Sequence, residues 1–188
     1  MKTLTPQGQL NDLIRSAPLH IQRHFGCDCI ERALQRKDYG LFEALEIVRR
    51  HIAGEANDHE LIYALCVSEK ILDKKNHPAK IWRIVEAAMS LCRPCPNIIF
   101  VQQIAAGFIA SYDASNADLD MKRLFAWREI FESIHTDEIK WQTERLQSLL
   151  ALNKRTQSSL LFVMQQRAKA IDPVLDSYSK SLEERLFE

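Results

Sequence analysis

The helical periodicity of residues 27–65 constrains the fold more than any other feature of the sequence. Four apolar residues recur there at spacings of four, three and four, which places them on one helix face: Leu41, Leu45, Val48 and Ile52. Asp38 can cap the start of this helix, and Gly54 suits the left-handed residue that ends it. Asn57 precedes Glu60 by three residues, the spacing of a capping box, just before a second apolar run. The stretch therefore predicts two amphipathic helices joined by a short turn.

Similar patterns along the rest of the chain predict an all-α fold. The predicted architecture is an antiparallel array of about eight to ten helices arranged as hairpins, without a sheet. The content of only five glycines and six prolines agrees with this prediction. Residues 1–17 are predicted to form a loosely ordered lead-in, since Pro6 and Gly8 disfavour a helix. Residues 18–152 are predicted to form the helical domain, and 153–188 a C-terminal helical extension packed on it.

Local signals set the predicted helix boundaries. Pro18 fits a first helical turn, and the helix that follows is predicted to reach about Lys37, with strain at Gly26. The pairs His77-Pro78 and Asp172-Pro173 mark further starts, because proline is pre-organised for the first helical position. Side chains that can accept an N–H of the first turn predict three more starts, at Asn97, Asp118 and Thr136. The C-terminal half is thereby divided into several short helices.

The charge and the cysteine content limit which partners and which location can be expected for the chain. Basic and acidic residues both number 25, so the basic field of a sequence-independent nucleic-acid binder is missing. No apolar run approaches the roughly 18 residues of a membrane span, and the first residues lack the apolar core of a secretory signal. Five cysteines, an odd number, indicate reduced thiols. The sequence predicts a cytoplasmic protein with neither nucleic acid nor membrane as partner, and leaves its oligomeric state open.

Histidine and cysteine side chains occur at spacings that a zinc site could use. In a continuous helix, three of them at i, i+4 and i+7 share one face: His20, His24 and Cys27. Cys29 or the pair Cys92–Cys95 could complete four ligands. However, Cys27 also lies in register with Ile30 and Leu34, a core stripe, and buried free cysteine is common. The sequence therefore predicts no metal and no cofactor, while leaving open whether these four cysteines bind a metal.

The sequence gives no pattern that favours catalysis. Cys92-Arg93-Pro94-Cys95 has the CxxC spacing of dithiol oxidoreductases, whose first cysteine begins a helix where the dipole lowers its pKa. Here Cys92 is predicted at a helix C-terminus, where the dipole has the opposite sign. There is also no GxSxG, no glycine-rich phosphate loop and no HExxH. The prediction is that the chain is not an enzyme, with an enzyme of unknown class as the remaining alternative.

Residues 112–139 carry a local excess of negative charge, with seven acids against three bases. Such a run is usually a solvated helix face, and the alternative is a face that binds a partner. If two successive antiparallel helices carry these acids, they form an elongated acidic strip that speeds association with a basic partner. The predicted partner-binding residues are Asp118, Asp120, Glu129, Glu132, Asp137 and Glu138.

Several short sequence motifs, here called phrases, are distributed along the chain and are considered together. They are Cys27-Asp28-Cys29-x-Glu31, ALEIVRRHIAGEA over residues 44–56, Glu60-Leu61, and Trp141-Gln142-x-Glu144-Arg145-Leu146 with Leu149-Leu150. Together they resemble a family of small all-helical immunity proteins from bacterial polymorphic-toxin systems, over roughly residues 20–152. The middle helices are less alanine-rich than in that family, and residues 153–188 have no counterpart in it. The resemblance implies a protein that neutralises a cognate toxin by direct binding; the alternative is a helical adaptor or effector that binds another protein.

Overall fold

The computed structural model describes the backbone of residues 5–36, 40–72, 79–116 and 124–186, and the side chains of 5–36, 40–71, 82–115 and 128–164. No strand occurs in these ranges, which confirms the predicted all-α class. The helices are α1 (Pro6–Ser16), α2 (Leu19–Leu34), α3 (Phe42–Ile52), α4 (Asp58–Leu72), α5 (Ala79–Leu91), α6 (Ile98–Asn116) and α7 (Leu124–Leu186). The chain divides into two compact units, unit 1 (Met1–Leu149) and unit 2 (Leu150–Glu188).

The described residues form seven helices rather than eight to ten, chiefly because α7 is continuous. Thr136, a predicted N-cap, lies inside α7, where its hydroxyl donates to the carbonyl oxygen of Glu132 (2.7 Å). The predicted start at Asp172-Pro173 also falls within α7, so both boundaries are wrong. A threonine hydroxyl can bond to the carbonyl four residues earlier as readily as it can cap a helix. The predicted start at Asp118 lies outside the described residues.

Residues 6–16 form a helix where the sequence predicts a loose lead-in. Pro6 lies at the start of α1, and the side chain of Thr5 accepts the N–H of Gly8 (3.2 Å). Proline costs little at this position, because the N–H that it lacks has no partner within the helix. Leu10 and Ile14, one turn apart, are both buried. The predicted absence of a helix here is wrong, since Pro6 and Gly8 fall in the turn that tolerates them best.

Other predicted caps are confirmed. The side chain of Asn57 accepts the N–H groups of His59 and Glu60, and the carboxylate of Glu60 accepts the N–H of Asn57 (3.0 Å). Asn97 caps α6 by accepting the N–H of Phe100 (3.0 Å). Gly54, which follows the C-cap residue Ala53 of α3, has a φ of 76°, the left-handed value expected of it. The predicted signals at Asp38 and His77-Pro78 lie outside the described residues.

α2 lies at the centre of unit 1, where it packs against α3, α5 and α6. The innermost side chains of α2 include Phe25, Ile30 and Leu34, which are at most 2% exposed. α6 packs against α5 and α1, and α4 packs against α3 and α5. The helices are thus arranged around a core whose central element also carries the acidic residues Asp28 and Glu31. Among the described residues, no helix combines the length and the apolar character needed to cross a membrane.

Gly26 and Gly107 offer a matched test of this packing. α2 is helical on both sides of Gly26, and a Cβ there would lie 2.5 Å from Cδ2 of Leu91 and 3.2 Å from Cδ1 of Ile98. Both neighbours are buried, so Gly26→Ala is expected to lower the free energy of unfolding by about 1 kcal/mol despite the better helix propensity of alanine. A Cβ at Gly107 would have no atom within 4 Å apart from its chain neighbours and its own helix backbone, so Gly107→Ala is expected to raise that free energy by up to about 1 kcal/mol. Urea unfolding monitored by circular dichroism measures both, and changes of the same sign would contradict the assigned packing.

Candidate partner-binding site

A cluster of charged side chains connects α2 and α3 at the surface of unit 1. Arg49 of α3 donates from Nη2 and Nε to the two carboxylate oxygens of Glu31, at 2.7 and 2.9 Å. The same Nη2 donates to Oδ1 of Asp28 (2.8 Å). Asp28 is only 8% exposed, so its negative charge requires partners of this kind. The fork of Arg49 therefore holds two carboxylates of α2 in fixed positions.

α7 completes this cluster from the other side of Asp28. Arg145 donates from Nε to Oδ2 of Asp28 (2.7 Å), so each oxygen of this carboxylate accepts from a different arginine. The side chain of Arg145 is nevertheless 42% exposed. Its guanidinium is thus anchored at one nitrogen while much of the group faces solvent. Asp28, Glu31, Arg49 and Arg145 bring three helices together, and the term charge cluster refers to these four residues below.

His24 borders the charge cluster in its neutral form. Its Nδ1 lies 3.0 Å from Nη1 of Arg49, and a guanidinium can only donate. Nδ1 must therefore accept, which places the ring proton on Nε2. Burial lowers the pKa of His24 below its ordinary value of 6.5, and the charge of Arg49 lowers it further.

This titration predicts a dependence of stability on pH. Because the pKa of His24 is lower in the folded chain, the unfolded chain takes up its proton first, and stability should fall as pH drops below 6.5. His24→Gln removes the titrating ring and keeps an acceptor for Arg49, so the variant should lose less stability than the unmodified chain between about pH 7.5 and about pH 5.5. Urea unfolding at both pH values measures this. Burial also lowers the pKa of His135. This residue is present in both proteins, so its effect on stability cancels in the comparison. Equal losses in the two proteins would contradict the assigned state of His24.

A second ion pair lies beside the charge cluster. Arg32 of α2 donates from Nε to Oε2 of Glu138 on α7 (2.7 Å), and Glu138 is 2% exposed. Burial raises the pKa of this carboxyl above its ordinary value, while the hydrogen bond and charge of Arg32 act in the opposite direction. The guanidinium of Arg32 also lies over the ring of Trp141, 4.3 Å from its centroid. One turn of α7 thus fixes the orientation of Arg32 at two points.

The two ion-paired groups border one open hollow of about 280 Å³. Its lining consists of Asp28, Glu31, Arg32, Gln35, Trp141 and Arg145. Larger hollows, two of about 440 Å³ and one of about 560 Å³, lie elsewhere, and none of them is lined by Asp28, Trp141 or Arg145. The hollow at Trp141 therefore combines an aromatic ring, two positioned guanidinium groups and two carboxylates on a surface reachable from solvent. This set can form charge-assisted hydrogen bonds and stack on a planar group of a partner.

The predicted acidic strip is only partly on the surface. Glu129, Glu132 and Asp137 are exposed on α7, and Arg128 pairs with Glu132 (2.9 Å). Glu138 does not belong to such a strip, because it is buried against Arg32 and cannot meet a partner from solvent. The three exposed acids lie on one helix, not on two antiparallel neighbours, so the geometry predicted for the strip is wrong. Asp118 and Asp120 lie outside the described residues, and a partner-binding role for the exposed acids stays a prediction.

The cysteines considered as zinc ligands are divided between the core and the surface. Cys27, Cys29 and Cys92 are buried, whereas Cys95 is exposed. Burial raises the pKa of Cys27 and that of Cys92 to about 12, which disfavours the thiolate that a metal or a redox reaction uses. Cys92 directly follows the end of α5, as predicted. Within the described residues, no three His, Cys, Asp or Glu side chains are arranged to hold a metal ion.

The backbone of the CxxC segment, Cys92–Cys95, is held by an arginine of α2. Arg23 on α2 is 8% exposed. Its guanidinium donates to the carbonyl oxygens of Arg93 and Pro94, at 2.6 and 3.1 Å. These carbonyls follow α5, so Arg23 satisfies backbone acceptors at a helix end. The segment Cys92–Cys95 is thereby fixed against α2 through its backbone.

No residue of the charge cluster or of the hollow was predicted from the sequence to be a member of a site, and Arg32 and Gln35 also lie outside the phrases that carry the resemblance. The sequence signal of Arg32 and Arg49 was weak, because a charged residue on an amphipathic helix usually lies on its solvated face. Arg49, however, follows Val48 directly and borders the apolar stripe of α3, a position from which a long side chain reaches a neighbouring helix. Comparisons of the chain with models of protein families, with curated proteins and with solved structures found no match.

Proposed function

We propose that this chain is an immunity protein that neutralises a cognate bacterial toxin by binding it directly, with the hollow at Trp141 as the centre of the binding surface. One observation carries the proposal: the polar residues of the phrases that resemble immunity proteins converge in space. Asp28 and Glu31 come from the first phrase, Arg49 from the second, and Trp141 and Arg145 from the last. They are up to 117 residues apart in sequence, yet they form or border one linked group.

The chemistry of the hollow suits recognition of a protein. Tryptophan and arginine are the residues that most often dominate binding energy at protein interfaces. Here both arginines are held before a partner arrives, since Arg32 is fixed by Glu138 and Trp141, and Arg145 by Asp28. Pre-ordered side chains lose less conformational entropy on binding, so more of the contact energy remains as affinity. The mixed charges also favour a partner surface that presents both a carboxylate and a basic group, not a uniformly basic one.

Co-expression tests the proposed function. The toxin domain to use is the variable C-terminal domain of a large secreted protein encoded next to the gene for this chain, expressed from an inducible promoter in a susceptible host. Co-expression of the full chain is expected to restore growth, and the two purified proteins should form a complex. A chain that binds a different cellular protein but leaves the toxicity unchanged would instead support the adaptor alternative. Restored growth without a complex would contradict neutralisation by direct binding.

A further inference from the structure

Unit 2 carries an exposed apolar segment that the proposed binding site does not use. The segment is the run Leu160-Leu161-Phe162-Val163-Met164 within α7, and each of its five side chains is between 46 and 66% exposed. Contiguous apolar patches of this kind are uncommon on soluble monomers and usually mark an interaction surface. Leu152, which precedes them on the same helix, is 62% exposed.

The sequence extends this apolar character to the end of α7. Starting from Leu160 and Met164, apolar or aromatic residues recur every three or four positions: Ala168, Ile171, Leu175, Tyr178, Leu182 and Leu186. This spacing along one continuous helix is that of a stripe through which helices pack against each other. A helical partner along the whole of unit 2 fits the pattern better than a compact domain that touches one point.

The charges of unit 2 are segregated along its length. Residues 150–171 contain four bases and no acid, whereas residues 172–188 contain five acids and two bases. Two copies laid antiparallel about the boundary at 171–172 place the basic half of each beside the acidic half of the other. A parallel arrangement places like charges together, which is unfavourable. The surface is thus complementary to itself in one orientation, the property required of a two-fold symmetric interface.

We propose that unit 2 is a dimerisation element, in which α7 segments from two copies of the chain pair antiparallel through the stripe that includes Leu160 and Met164. The occupant of the apolar segment is thereby a second copy of this chain. All residues that line the hollow at Trp141 belong to unit 1, so variants of unit 2 test dimerisation separately from toxin binding.

Variants of the full chain test which face of α7 pairs with the second copy. Leu160 and Met164 lie about 40° apart around the helix, and Phe162 lies about 180° from the midpoint between them. Light scattering and analytical ultracentrifugation at about 10 μM should find a dimer for the unmodified chain if its Kd is about 1 μM or lower. The double variant Leu160→Glu/Met164→Glu should raise that Kd at least about 100-fold, because it places charges in an apolar interface. The control Phe162→Glu should change the Kd less than about threefold. A monomeric unmodified chain, or equal effects of the two variants, would overturn the proposal.

Charge reversal tests the antiparallel orientation. Lys154 and Arg155 are exposed, and a two-fold axis at 171–172 places them beside the end of α7 in the second copy, which carries Glu183 and Glu184. Lys154→Glu/Arg155→Glu should raise the Kd at least about tenfold at low salt, since it sets acids against acids. Adding Glu183→Lys/Glu184→Lys to the same chain should restore the Kd to within about threefold of the original. In a parallel dimer the second pair of changes cannot repair the first, so a failure of restoration would overturn the orientation. An unmodified chain that stays monomeric but sediments with anionic vesicles would assign the apolar segment to a lipid surface instead.

Discussion

Replacing Arg49 by leucine is expected to lower the free energy of unfolding by about 3–5 kcal/mol, more than any other single change to the charge cluster. Leucine retains part of the packing of the arginine stem but removes every donor of the guanidinium. Glu31 then loses both of its bonds from Arg49, and Asp28 keeps only Arg145. Because Asp28 is 8% exposed, water cannot fully replace the missing donor.

Urea unfolding at neutral pH measures this loss, with Arg15→Ala as its control. Arg15 also pairs with an aspartate, Asp12 (3.1 Å), but its side chain is 67% exposed and that of Asp12 56%. An exposed pair of this kind contributes little, so the control should change stability by no more than about 0.5 kcal/mol. If the loss for Arg49→Leu were equally small, the cluster would be ordinary solvated surface and would not hold α2, α3 and α7 together.

Sequence reasoning succeeded where a local interaction decides the structure. The capping box of Asn57 and Glu60 and the left-handed Gly54 involve residues within one turn of each other, so their signals are complete in the sequence. The same reasoning failed at Thr136, where a residue that can cap a helix instead bonds to the carbonyl of Glu132. A single side chain with two favourable local bonding modes does not determine a boundary; the neighbouring contacts of α7 with α2 and α6 do.

The charge cluster was beyond the reach of local patterns. Glu138 resembles any acid in an acidic stretch, and only the packing of α7 on α2 buries it against Arg32. Asp28 likewise sits among apolar residues of α2, and its two partners come from 21 and 117 residues later in the chain. Spacing within one helix cannot reveal pairs of this separation. The phrases that resemble immunity proteins contain Asp28, Arg49 and Arg145, but their spacing in the sequence does not indicate that these side chains meet.

Loss of the hollow's aromatic and cationic groups is expected to produce the largest change in binding. The double variant Trp141→Ala/Arg145→Ala removes the ring beneath Arg32 and the half-exposed guanidinium anchored to Asp28. If these side chains are the energetic centre of the interface, the Kd for the toxin domain should rise at least about 100-fold, equivalent to roughly 2.7 kcal/mol. Asp28 retains Arg49 in this variant, so the fold should persist, and circular dichroism before each titration verifies it.

A matched variant separates this effect from the general loss of surface. Trp82→Ala/Arg128→Ala removes the same two residue types from positions that are also exposed, on α5 and α7, outside the hollow. Its Kd should stay within about threefold of the unmodified chain. Unchanged toxin protection by this control also shows that an exposed tryptophan and an exposed arginine do not suffice on their own.

Calorimetric titration of the purified toxin domain into the unmodified chain and these two variants is the most direct test of neutralisation through the hollow. The account predicts tight binding by the unmodified chain and the control, and a Kd raised at least about 100-fold for Trp141→Ala/Arg145→Ala. Equal affinity of all three proteins for the toxin would contradict it, since binding would then occur on another surface.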